Sequence, residues 1–204
     1  MNYDTHQDKY GNSFYSDLEV SQELVNEVCK RITNSSPDIY VRAEDDATPM
    51  VNQAKKNMRF LDVWGFDDKS KNHFYVEVKD FCSMGAYNAT GLPAPYVTNK
   101  LLVFDPTKVY VIFRDNEEFY KQRIANGKEL LPTYYIGNDC KMHPIPYGER
   151  LDVLMANRVP GLEKRIKCNW KGAYHGQEQF IWNTEVMKPI EHLMLRDFSD
   201  VRVT

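Results

Sequence analysis

The chain has 204 residues, of which 42% are hydrophobic and 13% aromatic, and its formal net charge is −3 at pH 7. This length and composition allow a sizeable buried core, most simply in one domain with a small appended part. The negative charge argues against a protein that coats nucleic acid nonspecifically, although it permits local basic patches. The sequence contains no glycine-rich phosphate loop and no internal repeat, which disfavours the nucleotide-binding classes.

Several features of the sequence predict an intracellular protein without a membrane partner. Its apolar runs stay below the roughly 18 residues that a membrane helix needs. The N-terminal sequence lacks the basic start and the apolar centre of a secretory signal, so we expect a soluble, cytoplasmic chain. The four cysteines are scattered and show no CxxC spacing, which favours reduced thiols over a zinc site or a disulfide scaffold.

The first predicted element, after a polar N-terminal arm of residues 1–15, is an amphipathic helix in the sequence SDLEVSQELVNEVCKRI. Ser16 and Glu19 have the spacing of a capping box. The helical period gathers apolar side chains on one face, namely Leu18, Leu24, Val25, Val28, Cys29 and Ile32. A polar, turn-rich segment with a short strand at residues 39–42 connects this helix to the next element.

The segment RFLDVWGFDDKSKNHFYVEVKDF reads as a hairpin of two strands, residues 58–66 and 74–81, joined by a polar turn. Its strand residues are mostly aromatic and β-branched, so the charged residues among them are unusual and indicate a specific role. Side chains alternate across a strand, which places Asp62 on the same face of the hairpin as Glu77 and Lys79. The three charged side chains are therefore expected to converge.

A turn centred between residues 69 and 70 would place Asp62 directly opposite Glu77. Two carboxylates that face each other across strands repel, and a divalent cation would compensate them, since Mg²⁺ is commonly held by one or two carboxylates. Lys79 would then stabilise a phosphate or the attacking water. Two simpler interpretations stay open. The charges belong to an ordinary solvated or ion-paired face, or a register shift of one residue turns Asp62 away.

The later segments predict further strands and helices around this hairpin. After a loop at residues 83–95, the sequence YVTNKLLVF predicts a short helix, and KVYVIFR predicts a strand buried on both faces. Helical patterns follow at residues 116–131 and 184–198, the second carrying Pro189, and PTYYIG is strand-like. Residues 148–176 show no clean period and are expected to form a subdomain or long loops. The order predicts an α/β (α+β) fold with a mixed central β-sheet flanked by helices.

This order of helix, strand with Asp62, hairpin turn, strand carrying VEVK, helix and buried strand KVYVIF resembles the PD-(D/E)xK nuclease superfamily. In that family an Asp lies on one strand and a Glu-x-Lys on its antiparallel neighbour, and here these residues are Asp62, Glu77 and Lys79. The resemblance covers about residues 16–114, and a leucine replaces the proline that gives the motif its name. It implies a restriction-endonuclease-like core over residues 16–136, with residues 137–204 as a C-terminal extension or a subdomain that packs on the core.

The resemblance also implies a metal site. The family's pattern predicts Mg²⁺ or Mn²⁺ held by Asp62, Glu77 and the backbone carbonyl of Val78. Family members often add a glutamate from the first helix, and Glu27 lies nearest to the apolar face of that helix. They also often carry a basic residue near substrate on the helix after the motif, a role that Lys100 would fill. A solvated glutamate and a solvated lysine are the ordinary alternatives for these two positions.

The C-terminal segment EKRIKCNWKGAYHG mixes basic and aromatic residues that would bind phosphates and stack on bases. Lys171 and Trp170 are the candidates for substrate binding in this segment. The alternative is an exposed basic edge whose aromatic residues pack into the core.

Together these patterns predict a metal-dependent nuclease, an endonuclease or an exonuclease, that uses water to hydrolyse phosphodiester bonds, in DNA rather than RNA. A noncatalytic module that binds nucleic acid or a protein on the same scaffold is the second hypothesis. A structural or inhibitory protein with a coincidental motif is the third. The sequence leaves the oligomeric state open, a homodimer included.

Overall fold

The computed structural model describes residues 14–43, 61–80, 89–114, 134–136, 142–159, 166–170, 173–177 and 179–198. Its strands are β1 (Ile39–Ala43), β2 (Val63–Asp67), β3 (Asn72–Asp80), β4 (Ala89–Pro93), β5 (Val109–Arg114), β6 (Tyr134–Ile136), β7 (Met142–Pro144), β8 (Tyr147–Arg150), β9 (Ile166–Trp170), β10 (Ala173–Gln177), β11 (Gln179–Asn183) and β12 (Lys188–Pro189). Its helices are α1 (Phe14–Ser35), α2 (Ala94–Tyr96), which continues as one π-helical turn (Val97–Leu101), α3 (Leu151–Ala156) and α4 (Ile190–Phe198), with 3₁₀ turns at Pro106–Lys108 and Thr184–Val186.

The N-terminal helix forms as its apolar period predicts. Leu24, Val28 and Ile32 are buried on one face, where each contributes about 1.5–3 kcal/mol relative to an exposed position. The helix already includes Phe14, so Ser16 lies inside it, and the predicted capping box is wrong. The thiol of Cys29 is free, and burial raises its pKa to about 11, so it stays protonated at neutral pH.

Six strands form the central sheet, in the order β1-β2-β3-β5-β8-β12. Strands β3 and β5 are parallel, whereas the other neighbours in the sheet are antiparallel. The prediction of a mixed central sheet flanked by helices is therefore confirmed. Strands β8 and β12 come from the C-terminal third of the chain, so this part extends the same sheet.

The sheet separates two apolar cores. On one face, α1 and α4 pack against alternate residues of β3, which are Phe74, Val76 and Val78. On the other face, the π-helical turn, α3 and the buried ring of Trp182 cover β5. Strand β5 is buried on both faces, as its nearly continuous apolar sequence predicts. Tyr75, Glu77 and Lys79 alternate with the first set and project to this second face.

The β2–β3 hairpin has the predicted register. Val63 faces Val76 and Asp67 faces Asn72, so every pair is centred between residues 69 and 70. The carboxylate of Asp67 organises the turn, because it accepts hydrogen bonds from the amides of Lys69 at 3.1 Å and Ser70 at 3.2 Å. The first strand is shorter than predicted. Asp62 lies one residue before β2 instead of inside it, and residues 58–60 lie outside the described part.

Two predictions fail where a distant partner or a proline decides the structure. The predicted loop at 83–95 contains β4, which pairs with β11 from far along the chain. The predicted helix at 184–198 begins only at Ile190, because Pro189 cannot donate a helical hydrogen bond and lies in β12 instead. Residues 148–176, which show no clean period, contain α3 and the β9–β10 hairpin.

The other predicted elements have mixed outcomes. The predicted strands at the start and in the middle of the chain are present as β1 and β6, and the predicted short helix is present as α2 and its π-helical turn. The predicted helix at 116–131 lies outside the described residues. Within the described ranges, no helix is long and apolar enough to span a membrane.

Candidate active site

Asp62, Glu77 and Lys79 converge at the end of the hairpin that is opposite to its turn. Asp62 Oδ2 accepts a hydrogen bond from the amide of Val78 at 2.6 Å, which fixes the carboxylate beside β3. Glu77 and Lys79 flank Val78 on the same strand and form an ion pair with each other. The structure therefore brings together the three residues of the predicted motif, although Asp62 itself lies just outside the β-ladder.

Glu77 is completely buried, with 0% of its side chain exposed. Three groups surround its Oε1 atom. The hydroxyl of Tyr96 donates a hydrogen bond to it, Lys79 Nζ pairs with it, and Lys100 Nζ lies 3.4 Å away. A buried carboxylate needs such partners, because its desolvation is expensive. Two ammonium groups thus offset the charges of Asp62 and Glu77.

The segment after β4 supplies two of these partners. Lys100, the basic residue predicted beyond the motif, lies in the π-helical turn and reaches Glu77. Tyr96 was not predicted from the sequence. Its ring lies 4.9 Å from Lys79 Nζ and 5.2 Å from Lys100 Nζ, so one aromatic ring contacts both cations. The four-residue spacing between Tyr96 and Lys100 is the signal that could have revealed it, since such residues share a helix face.

The two carboxylate oxygens of Glu77 differ in their hydrogen bonding. Glu77 Oε2 is buried and accepts no hydrogen bond from any described residue, although Lys100 Nζ lies 3.4 Å from it. A buried acceptor of this kind costs free energy unless a cation or a donor reaches it. Among the described residues, no three His, Cys, Asp or Glu side chains lie close enough to hold a metal ion. Two carboxylates are nevertheless a usual protein contribution to Mg²⁺, which keeps several waters, so Asp62 and Glu77 fit such an ion.

The ionisation of Asp62 reflects this environment. Burial raises the pKa of its carboxyl to about 6, and the negative charge of Glu77 acts in the same direction. Lys79, the Val78 amide and Lys100 oppose the shift in pKa. At neutral pH the carboxylate is mostly ionised, and slightly acidic conditions protonate it.

The structure does not bring Glu27 to the carboxylate pair. Glu27 accepts a hydrogen bond from Arg31 at 2.8 Å, and Arg31 also pairs with Glu191 of α4. Helix α1 packs on the sheet face opposite to Glu77. Because the described residues contain no group of three potential ligands, Glu27 does not complete a site with Asp62 and Glu77, and its prediction as a metal ligand is not supported.

The structure says less about the other predicted site residues, which are Val78, Trp170 and Lys171. Val78 lies in β3, where its amide serves Asp62; its carbonyl stays a predicted ligand. Trp170 ends β9, which pairs with β10, but its side chain and Lys171 lie outside the described part.

Comparison of the chain with protein-family models, with curated proteins and with solved structures found no match. The side chains around Asp62 and Glu77 are therefore the basis for assigning a function.

Proposed function

We propose that the protein is a divalent-metal-dependent nuclease that hydrolyses phosphodiester bonds, in DNA rather than RNA. The observation that carries this proposal is the convergence of two carboxylates, the half-buried Asp62 and the buried Glu77, with Lys79 at one end of the hairpin. Carboxylates hold the ion, and a neighbouring cation stabilises the negative charge that develops on a phosphate. These are the groups that metal-assisted phosphodiester hydrolysis requires.

The order of elements supports a restriction-endonuclease-like core. The chain runs from α1 through the antiparallel strands β1, β2 and β3 to β4 and α2, and then to β5, which is parallel to β3. In the PD-(D/E)xK superfamily, which the sequence resembles, the Asp lies on one strand and the Glu-x-Lys on its antiparallel neighbour. Here Asp62 lies one residue before β2, and Glu77 and Lys79 lie on β3.

Each side chain of the site has a role in this proposal. Asp62 and Glu77 hold Mg²⁺ or Mn²⁺, which when bound polarises the phosphate and lowers the pKa of a coordinated water. The Val78 amide orients Asp62, and the Tyr96 hydroxyl orients Glu77. Lys79 is 27% exposed, so its ammonium group can reach a phosphate oxygen from solvent.

One observation favours a second function, a noncatalytic module that binds nucleic acid or a protein. Lys79 and Lys100 balance the charges of the two carboxylates without any metal ion. The charges of these four side chains cancel, as they do in a purely structural cluster of ion pairs. The two functions differ in whether Asp62 and Glu77 bind a divalent cation.

The proposal is tested by incubating the purified protein with linear, nicked, branched and single-stranded DNA and with RNA, in Mn²⁺, Mg²⁺ or EDTA. We expect cleavage only when a divalent metal is present, and its loss in Asp62→Asn and Lys79→Met. The matched control is Asp68→Asn, which changes an exposed carboxylate in the turn of the same hairpin. The absence of metal-dependent cleavage by folded wild-type protein would refute the proposal, and so would full activity in both site variants.

A further inference from the structure

An aromatic strip, formed by Tyr40 and Arg42 of β1 and Trp64 and Phe66 of β2, lies on the sheet face that carries the candidate site. Tyr40 faces Phe66 and Arg42 faces Trp64 in the antiparallel register. Residues that face each other in this way project to the same side of a sheet. Trp64 also faces Tyr75, which shares its side of β3 with Glu77. The strip is therefore continuous with the site.

The strip is partly exposed, with half-buried Trp64 and Phe66, whereas the reverse face of the same strands is buried. Tyr40 is 59% exposed, and none of the three rings of the strip belongs to either apolar core of the described residues. On the reverse face, Ile39 and Val63 are buried under α1. Gly65 lies between the two β2 rings, and a Cβ there would overlap the ring of Phe74. Polar residues are usual on the solvated face of an antiparallel sheet, so aromatic residues here indicate a contact surface.

The rings of Trp64 and Phe66 are stacked, and a cation lies over the ring of Trp64. The planes of Trp64 and Phe66 are parallel to within 5°, and their centroids lie 6.3 Å apart. The guanidinium carbon of Arg42 lies 5.8 Å from the centroid of Trp64. Aromatic side chains with a nearby arginine are a usual means by which proteins stack on unpaired bases and contact the backbone of a single strand.

We propose that the aromatic strip binds the unpaired bases of a single-stranded nucleic-acid segment and leads that strand to the carboxylate pair. The second half of this statement rests on the proposed nuclease function, whereas the binding itself does not. Bases in a duplex present only their edges in the grooves, so aromatic side chains that bind bases by stacking favour unpaired bases. Trp64 faces Tyr75, which lies two residues before Glu77 on the same face of β3, and this places the strip beside the candidate site.

The test measures the anisotropy of a fluorescein-labelled oligothymidylate, in EDTA so that cleavage cannot contribute. The variants Trp64→Leu, Phe66→Leu and Tyr40→Leu keep an apolar side chain but remove the ring. We expect each to weaken binding by roughly fivefold or more. The matched control is Phe180→Leu, since Phe180 lies in β11 outside the strip and also has an arginine, Arg158, 5.0 Å from its ring centroid.

An abasic oligonucleotide with the same number of phosphates separates stacking from charge. We expect wild-type protein to bind it more weakly than the oligothymidylate, with no further effect of the leucine variants. Tyr40→Leu keeps the test valid if the half-buried Trp64 or Phe66 is needed for folding, which far-ultraviolet circular dichroism will show. Equal affinity of folded variants and wild type, or equal affinity for both oligonucleotides, would overturn the inference. Stronger association with phosphatidylglycerol vesicles would also overturn it.

The failure of this inference and the failure of the nuclease proposal give different results. Ring-dependent binding of oligothymidylate without any cleavage in Mn²⁺ supports the binding surface and refutes the nuclease. Metal-dependent cleavage with unchanged binding by the leucine variants refutes the binding surface and leaves the nuclease standing.

Discussion

Two buried glutamates in the central sheet differ in how their carboxylate oxygens are hydrogen-bonded. Glu77 of β3 and Glu149 of β8 are 0% and 1% exposed. Both oxygens of Glu149 accept hydrogen bonds from the guanidinium of Arg196 at 2.7 Å, and the amide of Arg150 adds another at 2.7 Å. Glu77 instead has three partners at Oε1, while Oε2 accepts no hydrogen bond from the described residues. Burial alone therefore does not distinguish a structural carboxylate from a candidate ligand. The difference is whether both carboxylate oxygens accept hydrogen bonds.

The cluster around Glu149 joins secondary structure elements. Arg196 also binds Asp197 at 2.6 Å, and Asp197 accepts a hydrogen bond from the hydroxyl of Tyr110 at 2.8 Å. Burial and the charge of Asp197 raise the pKa of Tyr110, so its hydroxyl remains a donor. These bonds connect α4 to β8 and β5. The cluster around Glu77 consists of flexible lysines and a tyrosine, which can exchange partners.

The largest expected effect is on catalysis. Lys79→Met should lower the rate of metal-dependent cleavage by about 10²–10³, as the loss of one preorganised charge-stabilising group does in other enzymes. It should also lower the free energy of unfolding, because it removes one of the two ammonium partners of the buried Glu77 carboxylate. Single-turnover cleavage and urea unfolding of the same samples measure the two effects. A variant that loses stability but keeps its cleavage rate would assign Lys79 to the structure.

The next effect concerns folding and distinguishes the two glutamates. Glu149→Gln should lower the free energy of unfolding by roughly 1–3 kcal/mol, because the neutral amide of glutamine cannot accept both charge-assisted hydrogen bonds that the Arg196 guanidinium donates. Glu77→Gln should change it by less than about 1 kcal/mol, because Lys79 and Lys100 can turn to solvent. Urea unfolding at neutral pH compares them. Equal losses in both variants would remove the contrast between the clusters.

A smaller effect follows from the pKa of Asp62. In the folded protein its pKa is about 6, above the value of about 4 in an unfolded chain. The folded protein therefore favours the neutral carboxyl of Asp62. Its contribution to the free energy of unfolding is fully present below about pH 4 and is lost as the pH rises through about 6. Asp62→Asn stays neutral, so it should be more stable than wild type at pH 8 without metal, by roughly 1–3 kcal/mol. At pH 4 the two should unfold alike, and a constant difference across this range would contradict the assignment.

The smallest effect is expected at Tyr96. Tyr96→Phe keeps the ring that contacts Lys79 and Lys100 but removes the hydroxyl that orients Glu77. Loss of this hydrogen bond should weaken Mn²⁺ binding by about tenfold or less, corresponding to about 1 kcal/mol. Glu27→Gln is the control, because Glu27 is bound to Arg31 on the opposite side of the sheet. Weaker Mn²⁺ binding by the Glu27 variant would place that residue at the site.

Sequence alone predicts the local parts of this arrangement. The alternation of side chains and the polar turn are sufficient for the β2–β3 register, and hence for the approach of Asp62 to Glu77. They are not sufficient for contacts between distant segments. The pairing of β4 with β11 depends on a partner far along the chain, and the role of Tyr96 depends on how α2 packs over β3. Glu27 fails as a ligand because Arg31 and the docking of α1 decide its position.

Titration with Mn²⁺ by calorimetry tests the central claim most directly. Wild-type protein and the Glu149→Gln control should bind Mn²⁺ at a single site, and the binding should strengthen as pH rises through about 6, because Asp62 must ionise to take part. Asp62→Asn and Glu77→Gln should bind it far more weakly or show no heat. If wild-type protein binds no Mn²⁺, or if these two variants bind it as tightly as wild type, the two carboxylates are a structural cluster and not a metal site.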